Sequence, residues 1–359
     1  MTKKWSSRLT FFAFVVLMVG LGSNDSLRGI FSTIFQEHFS LTTTQLGLIV
    51  TASYIGNLVF LLVGGNLSTR FSKKRVLQVL ILIWMAALAL FAFTSNYTVL
   101  LIGMALALGS STLLNTTMNL ITPLLFATAP GFFVNFLFFT QEIGTSGSQY
   151  ILGSHADGFA FWQHTNLVLL ILGAVAFALL LFCNVPEEAA APADAPAQKG
   201  GYDWRIIVPY VLVFGFYFIA EHGVMNWMVA YGVDGLGLPQ ASAAKYLSVF
   251  FGGMMIGRLC LSPLVDKLGA LKSLAAFGGV SCVLYLIGSL GGAVTMPVWA
   301  ISGLSFSILY PTLVMSIRLY FPAQQVSGAA GTILSIASLA DILCNVGFGK
   351  LVDMTGYAV

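Results

Sequence analysis

Membrane-length apolar runs recur from Arg8 to the end of this 359-residue chain, and nothing else constrains its fold as tightly. A helix crossing the hydrocarbon core needs ~20 mainly apolar residues. Eleven such segments can be placed, at 9–36, 44–67, 76–94, 98–125, 131–152, 166–184, 206–231, 243–265, 272–291, 296–320 and 327–349. With 58% hydrophobic residues and a mean hydropathy of +0.91, the chain carries more apolar surface than a water-soluble core uses. The first segment is too long for a signal peptide and lacks a cleavage site, so it reads as a helix. The fold expected is an all-α membrane bundle.

Four acids lie inside these runs: Asp25, Glu142, Glu221 and Asp341, in a chain with only 8% charged residues. A carboxylate at bilayer depth costs roughly 2.5–3.5 kcal/mol on insertion scales, so it is rare unless function needs it. Four of them point to a solute pathway with proton coupling. Enzyme chemistry has no support, since no GxSxG, HExxH, P-loop or GxGxxG occurs in the required context. The four cysteines, Cys183, Cys260, Cys282 and Cys344, lie in four different segments, which predicts free thiols and no metal. The basic cluster at 70–75 is too short for nucleic acid and lacks aromatic interleaving. Gly253 and Gly257 form a small-xxx-small pair, read as ordinary helix packing.

Charge placement predicts topology. Lys3, Lys4, Arg8, Arg70, Lys73, Lys74, Arg75, Lys199, Arg205, Lys267, Lys272 and Arg318 share one side if the helices alternate, while the other side holds Lys245 and Lys350. The positive-inside rule then places the N-terminus in the cytoplasm, in a multi-pass protein of the inner (plasma) membrane. The Pro/Ala/Gly-rich stretch at 186–203 reads as a cytoplasmic linker between an N-terminal half, 1–185, and a C-terminal half, 204–359. The halves repeat at an offset of 197 residues, which sets Leu67–Arg75 on Leu264–Lys272 and Asn24-Asp25 on Glu221-His222. Parallel six-helix repeats are the signature of the major facilitator fold, with the solute site at mid-membrane between them. On this repeat a twelfth helix is expected and appears missing from the chain, which ends at Val359.

The loop Gly65-Asn-Leu-Ser-Thr-Arg70-Phe-Ser-Lys-Lys-Arg75 resembles the loop 2–3 signature of the major facilitator superfamily. Thr69 and Ser72 depart from it; the second copy restores the usual residues at Asp266 and Gly269. Arg70, Asp266 and Lys267 are the gating-loop candidates this resemblance implies. The whole chain further resembles the fucose–proton symporter family, through Asn24-Asp25, Phe35-Gln-Glu-His-Phe39, Gln45-Leu-Gly-Leu-Ile49, Gly257-Arg258 and Tyr310-Pro311-Thr312. That resemblance implies a proton-coupling role for Asp25. The family's second acid is replaced here by Asn115, and its helix 5 asparagine by Gln141, so Glu142 stands as the substitute acid.

The residues themselves give a candidate site. Asp25, Glu142 and Glu221 are the proton-coupling candidates. Asp25 and Arg28 share a helix face at i, i+3. They read as a self-neutralising pair, as a protonatable acid tuned by Arg28, or as an arginine that binds an anionic substrate. Asn24, Arg28, Asn115, Asn119, Gln141, Gln149, Glu221, Asn226, Trp227, Tyr310, Asp341 and Asn345 are the substrate-binding candidates. Gln141 and Gln149 are about 80° apart around their helix. Gln149 reads equally as interhelical glue, and Asn57 as packing or gating. Trp227 beside Asn226 and Glu221 suits a sugar, whose C–H face stacks while its hydroxyls need directed partners. Asp341 could hold substrate or pair with Arg258, itself placed as an anchor of its helix, while a relay between Glu221 and His222 is weak.

The function expected is proton-driven uptake of a monosaccharide or similar small polar solute, with no cofactor, no partner but lipid and solute, and a monomer as default. An exporter, a sodium-coupled variant and a non-transporting nutrient receptor are the alternatives. The topology has its own test: a fluorescent reporter fused to the N-terminus folds and emits, whereas alkaline phosphatase fused there stays inactive. The opposite pattern sinks the cytoplasmic placement.

Overall fold

The computed structural model describes residues 3–126, 130–183, 185–186, 203–321 and 323–357, with the side chains of 3–6, 61–70, 120, 123, 130–132, 134–135, 262, 266, 318, 323–328 and 331 left outside the description. Most of the 186–203 linker therefore lies outside the described residues. So do the side chains of Arg70 and Asp266. Every regular element among the described residues is helical.

The first apolar segment forms two helices, α1 (Lys3–Ile30) and α2 (Ser32–Phe39), separated at Phe31. It is followed by α3 (Thr43–Arg70), α4 (Lys73–Phe93), α5 (Tyr97–Leu125), α6 (Pro130–Ile151) and α7 (Phe159–Phe182). Beyond the linker come α8 (Trp204–Ala230), α9 (Gln240–Leu268) and α10 (Ala270–Leu290). The tenth segment is broken into α11 (Met296–Ile301), α12 (Gly303–Phe306) and α13 (Leu309–Ser316), and α14 (Ala323–Thr355) ends the fold. Nine helices among the described residues are long and apolar enough to cross a membrane.

Local chemistry explains the boundaries. The side chains of Ser72, Asn96 and Asp203 accept from the amides of Arg75, Val99 and Arg205, capping α4, α5 and α8. The breaks in the tenth segment coincide with serines whose hydroxyls take backbone carbonyls: Ser302 donates to Trp299 O at 2.6 Å, Ser305 to Ser302 O at 2.9 Å and Ser307 to Leu304 O at 2.7 Å. Such bonds compete with the helical ladder and re-satisfy it, which makes irregular backbone tolerable inside protein at membrane depth.

The offset of 197 residues carries Thr43 onto Gln240 and Lys73–Phe93 onto Ala270–Leu290, the starts and ends of matching helices. Buried side chains gather into two main clusters. One surrounds Phe14, Leu17, Trp84 and Trp162, the other Phe214, Phe250, Met254 and Phe306. Gly253 and Gly257 let α9 lie on α12: a Cβ on Gly257 would stand 2.5 Å from Leu304 O. Two apolar grooves of about 790 and 440 Å³ border α8 and α10, but none of Asp25, Glu142, Glu221 or Asp341 lines either.

Among the described residues, helices before the linker meet helices after it where α1 and α2 pack on α8, α3 on α14, and α6 on α9. The described polar contacts between helices on either side of the linker run from mid-membrane to the face opposite the N-terminus. Gln240 Nε2 donates to Ile30 O at 2.6 Å, and Thr33 Oγ1 donates to Gln240 Oε1 at 3.0 Å. Ser248 Oγ donates to Ser146 O at 2.8 Å and Ser146 Oγ to Ser248 O at 3.0 Å. Gly29 admits Met225 O so closely that a Cβ there would lie 2.0 Å from it. At the rim, Asp353 of α14 accepts the amides of Thr43 at 2.6 Å and Thr44 at 2.7 Å, and the Thr44 hydroxyl. One helix's carboxylate thus caps another helix's N-terminus, where unpaired amides and the helix dipole favour an anion.

Asp353→Ala removes this cap. A lost cap is worth about 1 kcal/mol, so thiol labelling of an engineered cysteine at Ser146 should rise by roughly fivefold as the seal opens more often. Unchanged labelling sinks the idea that the cap holds this face closed.

Candidate functional site

The intramembrane acids converge between the two sets of helices, but they are not treated alike. Glu142 of α6 pairs across the interface with Arg258 of α9, Nη1 to Oε1 at 2.5 Å, both side chains mostly buried. Asp341 of α14 lies 2.7 Å from Nδ1 of His222 on α8. Of the two readings of Asp341, the pairing with Arg258 is corrected: its basic partner is His222. Helix phase explains it: the carboxylate of α14 faces α8, while Arg258 reaches along α9 towards α6. Arg258 is thus a partner for α6 across the interface.

Around Asp341 a hydrogen-bond chain continues. Asn345 Nδ2 donates to Asp341 Oδ1 at 3.1 Å, and Trp227 Nε1 donates to Asn345 Oδ1 at 2.9 Å. Trp227 is buried at the junction of α3, α8 and α14, with Phe348 edge-on at 5.0 Å, and its ring also borders the 440 Å³ groove.

Asp25 has no ion pair among the described residues. Its carboxylate receives Asn24 Nδ2 at 3.5 Å and Ser111 Oγ of α5 at 3.4 Å from each oxygen. Three long contacts satisfy an anion poorly. Arg28, one turn on, turns its guanidinium to the Tyr54 ring of α3, 5.3 Å from the centroid. Tyr54 also stacks obliquely on His222 at 4.9 Å and accepts from Asn226 Nδ2 at 3.4 Å.

Amides extend the site along α5 and α6. Asn115 Nδ2 donates to Gln141 Oε1 at 2.7 Å, and Asn119 Nδ2 donates to Asn115 Oδ1 at 2.6 Å. Gln149 is apart from them, fully buried with both side-chain polar atoms unpartnered, near where α6 meets α9. Glu221 and Tyr310 are half-buried; Tyr310 packs beside Tyr217 at 5.9 Å and Phe218 at 6.1 Å. Asn57 Oδ1 is buried and unpartnered, and Lys267 is exposed at the end of α9. No group of three metal-ligating side chains occurs among the described residues.

Sequence reasoning missed Tyr54 and Ser111 and undervalued His222. The signal for Tyr54 was present: Thr51-Ala-Ser-Tyr54-Ile-Gly-Asn57 is an unusually polar stretch within an apolar run.

The chain matches the family model described as Major Facilitator Superfamily over residues 10–343, and it belongs to that superfamily. It is 24% identical to the L-fucose-proton symporter of Escherichia coli, over 80% of this chain and 75% of that protein. It is 25% identical to the cis,cis-muconate transport protein of Acinetobacter baylyi, over 77% of this chain and 70% of that one. The solved xylose transporter of E. coli in its inward-open conformation shares the fold, with a TM-score of 0.77 and 14% identity over 99% and 92% of the two chains. The protein is a multi-pass membrane transporter, not an enzyme.

Removing one partner of a buried ion pair strands the other charge and costs about 3–5 kcal/mol, whereas removing both costs less. Glu142→Gln and Arg258→Gln should each lower the melting temperature in detergent by more than the double substitution does. Additive losses rule out the pairing.

Proposed function

We propose that the protein couples proton movement to transport of a monosaccharide or similar small polar solute, by alternating access between its two sets of helices. The observation that carries this reading is the unequal treatment of its buried carboxylates. Glu142 and Asp341 each have a basic partner, whereas Asp25 has only three long hydrogen-bond contacts. An acid at membrane depth without a committed counter-ion is the group most readily emptied of charge by a proton.

Protonating Asp25 removes the charge that opposes enclosure of the site. The occluded arrangement then becomes accessible, and the helices can rock about the bound solute. Deprotonation on the far side restores the penalty and returns the carrier. Glu221, without an ion pair among the described residues, is the second candidate for this role. The solute would be held by the Asn119–Asn115–Gln141 chain on one side and by Asn226, Glu221 and Tyr310 on the other. Amides offer a donor and an acceptor together, which suits hydroxyl-rich ligands. The names of the E. coli and A. baylyi relatives attach a sugar with a proton to the first and a dicarboxylate to the second. Both are small polar solutes.

The test is uptake into proteoliposomes of labelled hexoses and hexuronates, with and without an inward proton gradient. Wild type should accumulate a member of the panel only with the gradient. Asp25→Asn should lose accumulation by at least tenfold yet keep solute exchange. Gradient-independent accumulation, or full coupling in Asp25→Asn, rejects the reading; sodium-driven accumulation at fixed pH rejects the proton.

A further inference from the structure

Among the described residues, three basic side chains lie at membrane depth between the helix sets: Arg28, His222 and Arg258. Two are committed. Arg258 holds Glu142 at 2.5 Å and His222 holds Asp341 at 2.7 Å. Arg28 is 6% exposed, forms no ion pair among the described residues, and leaves its Nε enclosed without a hydrogen-bond partner. Its neighbour Asp25 does not complete it, because that carboxylate turns towards Asn24 and Ser111. The guanidinium rests against the Tyr54 ring instead. A ring face attracts a cation but supplies no acceptor in the plane of the guanidinium fork.

We infer that Arg28 receives a carboxylate of the transported solute, which makes the substrate a sugar acid rather than a neutral hexose. This rests on the transport reading above and names its substrate class. The fork of N–H donors matches the two spaced oxygens of a carboxylate at once, whereas a hydroxyl presents a single, uncharged oxygen. A buried guanidinium lacking an acceptor is costly at membrane depth, so binding a carboxylate there gains more than binding a neutral group. The surroundings supply the rest of the ligand's needs. Asn226, 2% exposed, leaves its Oδ1 without a partner beside the Tyr54 hydroxyl, an acceptor placed for a sugar hydroxyl.

The acids around Arg28 set a condition. Asp25 lies on its own helix, while Glu221 and the His222–Asp341 pair face the site from α8 and α14. An incoming carboxylate is repelled by an ionised Asp25 and tolerated by a protonated one. Proton and sugar acid therefore favour each other's binding, and one proton carried with one carboxylate moves no net charge.

The experiment measures binding to the purified full chain in nanodiscs at fixed pH. The probes are D-glucuronate, D-galacturonate, D-glucuronamide, D-glucose and D-galactose. At least one acid should bind tenfold or more tighter than its neutral hexose, and glucuronate tighter than glucuronamide, which keeps the shape and loses the charge. Arg28→Gln should erase the difference, and Arg28→Lys should keep part of it. Neutral hexose or amide binding as tightly as the acid overturns the inference while leaving the transport reading intact. Absence of binding by every probe overturns both. Should Arg28→Gln fail to fold, the acid-against-amide comparison on wild type decides alone.

Discussion

A charge at membrane depth must be matched or neutralised, and the arrangement of this molecule follows from how it meets that demand. Glu142 is matched by Arg258 and Asp341 by His222. Both pairs span helices that come together only in the folded bundle, α6 with α9 and α8 with α14. The first also bridges residues on either side of the linker, so changing its charge state bears on how the helix sets associate. Asp25 and Arg28 stand outside this pairing, one an under-satisfied anion and the other a cation without an acceptor. On the proposed mechanism, this is where the proton and the solute bind.

The polar contacts between helix sets have a second consequence. Serine pairs, the Gln240 bridge and the Asp353 cap are individually modest, and each can be exchanged for water when the seal parts. The alternating access proposed above requires this, since a continuous apolar interface would be hard to reopen. The small residues along it serve the same end. Gly29 brings α1 and α8 into backbone contact, so a slight rotation replaces many contacts at once.

The sequence made some parts of the site legible and hid others. Asp25, Glu142 and Asp341 were visible because an acid in an apolar run contradicts its surroundings. Their partners were not. His222 to Asp341 spans 119 residues and Arg258 to Glu142 spans 116, and no local periodicity encodes such pairings. Asn115 and Gln141 were both named, but the bond between them joins two helices whose relative rotation only packing sets. Trp227 was named for its spacing from Asn226 and Glu221, but the bond from its indole N–H to Asn345 on α14 could not be read from that spacing. Tyr54 was overlooked because tyrosine in a membrane helix contradicts nothing.

By itself the sequence determined that the chain lies in a membrane as a helical bundle, and where most of the helices run. Length and hydropathy settle this, because a backbone in lipid has so few ways to satisfy its hydrogen bonds. The offset of 197 residues between matching helices is likewise written in one dimension. Only the tertiary structure decided which acid meets which base, that α1 and α2 break at Phe31, and that Arg28 has no ion-pair partner among the described residues. Those outcomes depend on the rotation and depth of each helix against neighbours distant in sequence, and a difference of a few ångströms separates an ion pair from an unmatched charge.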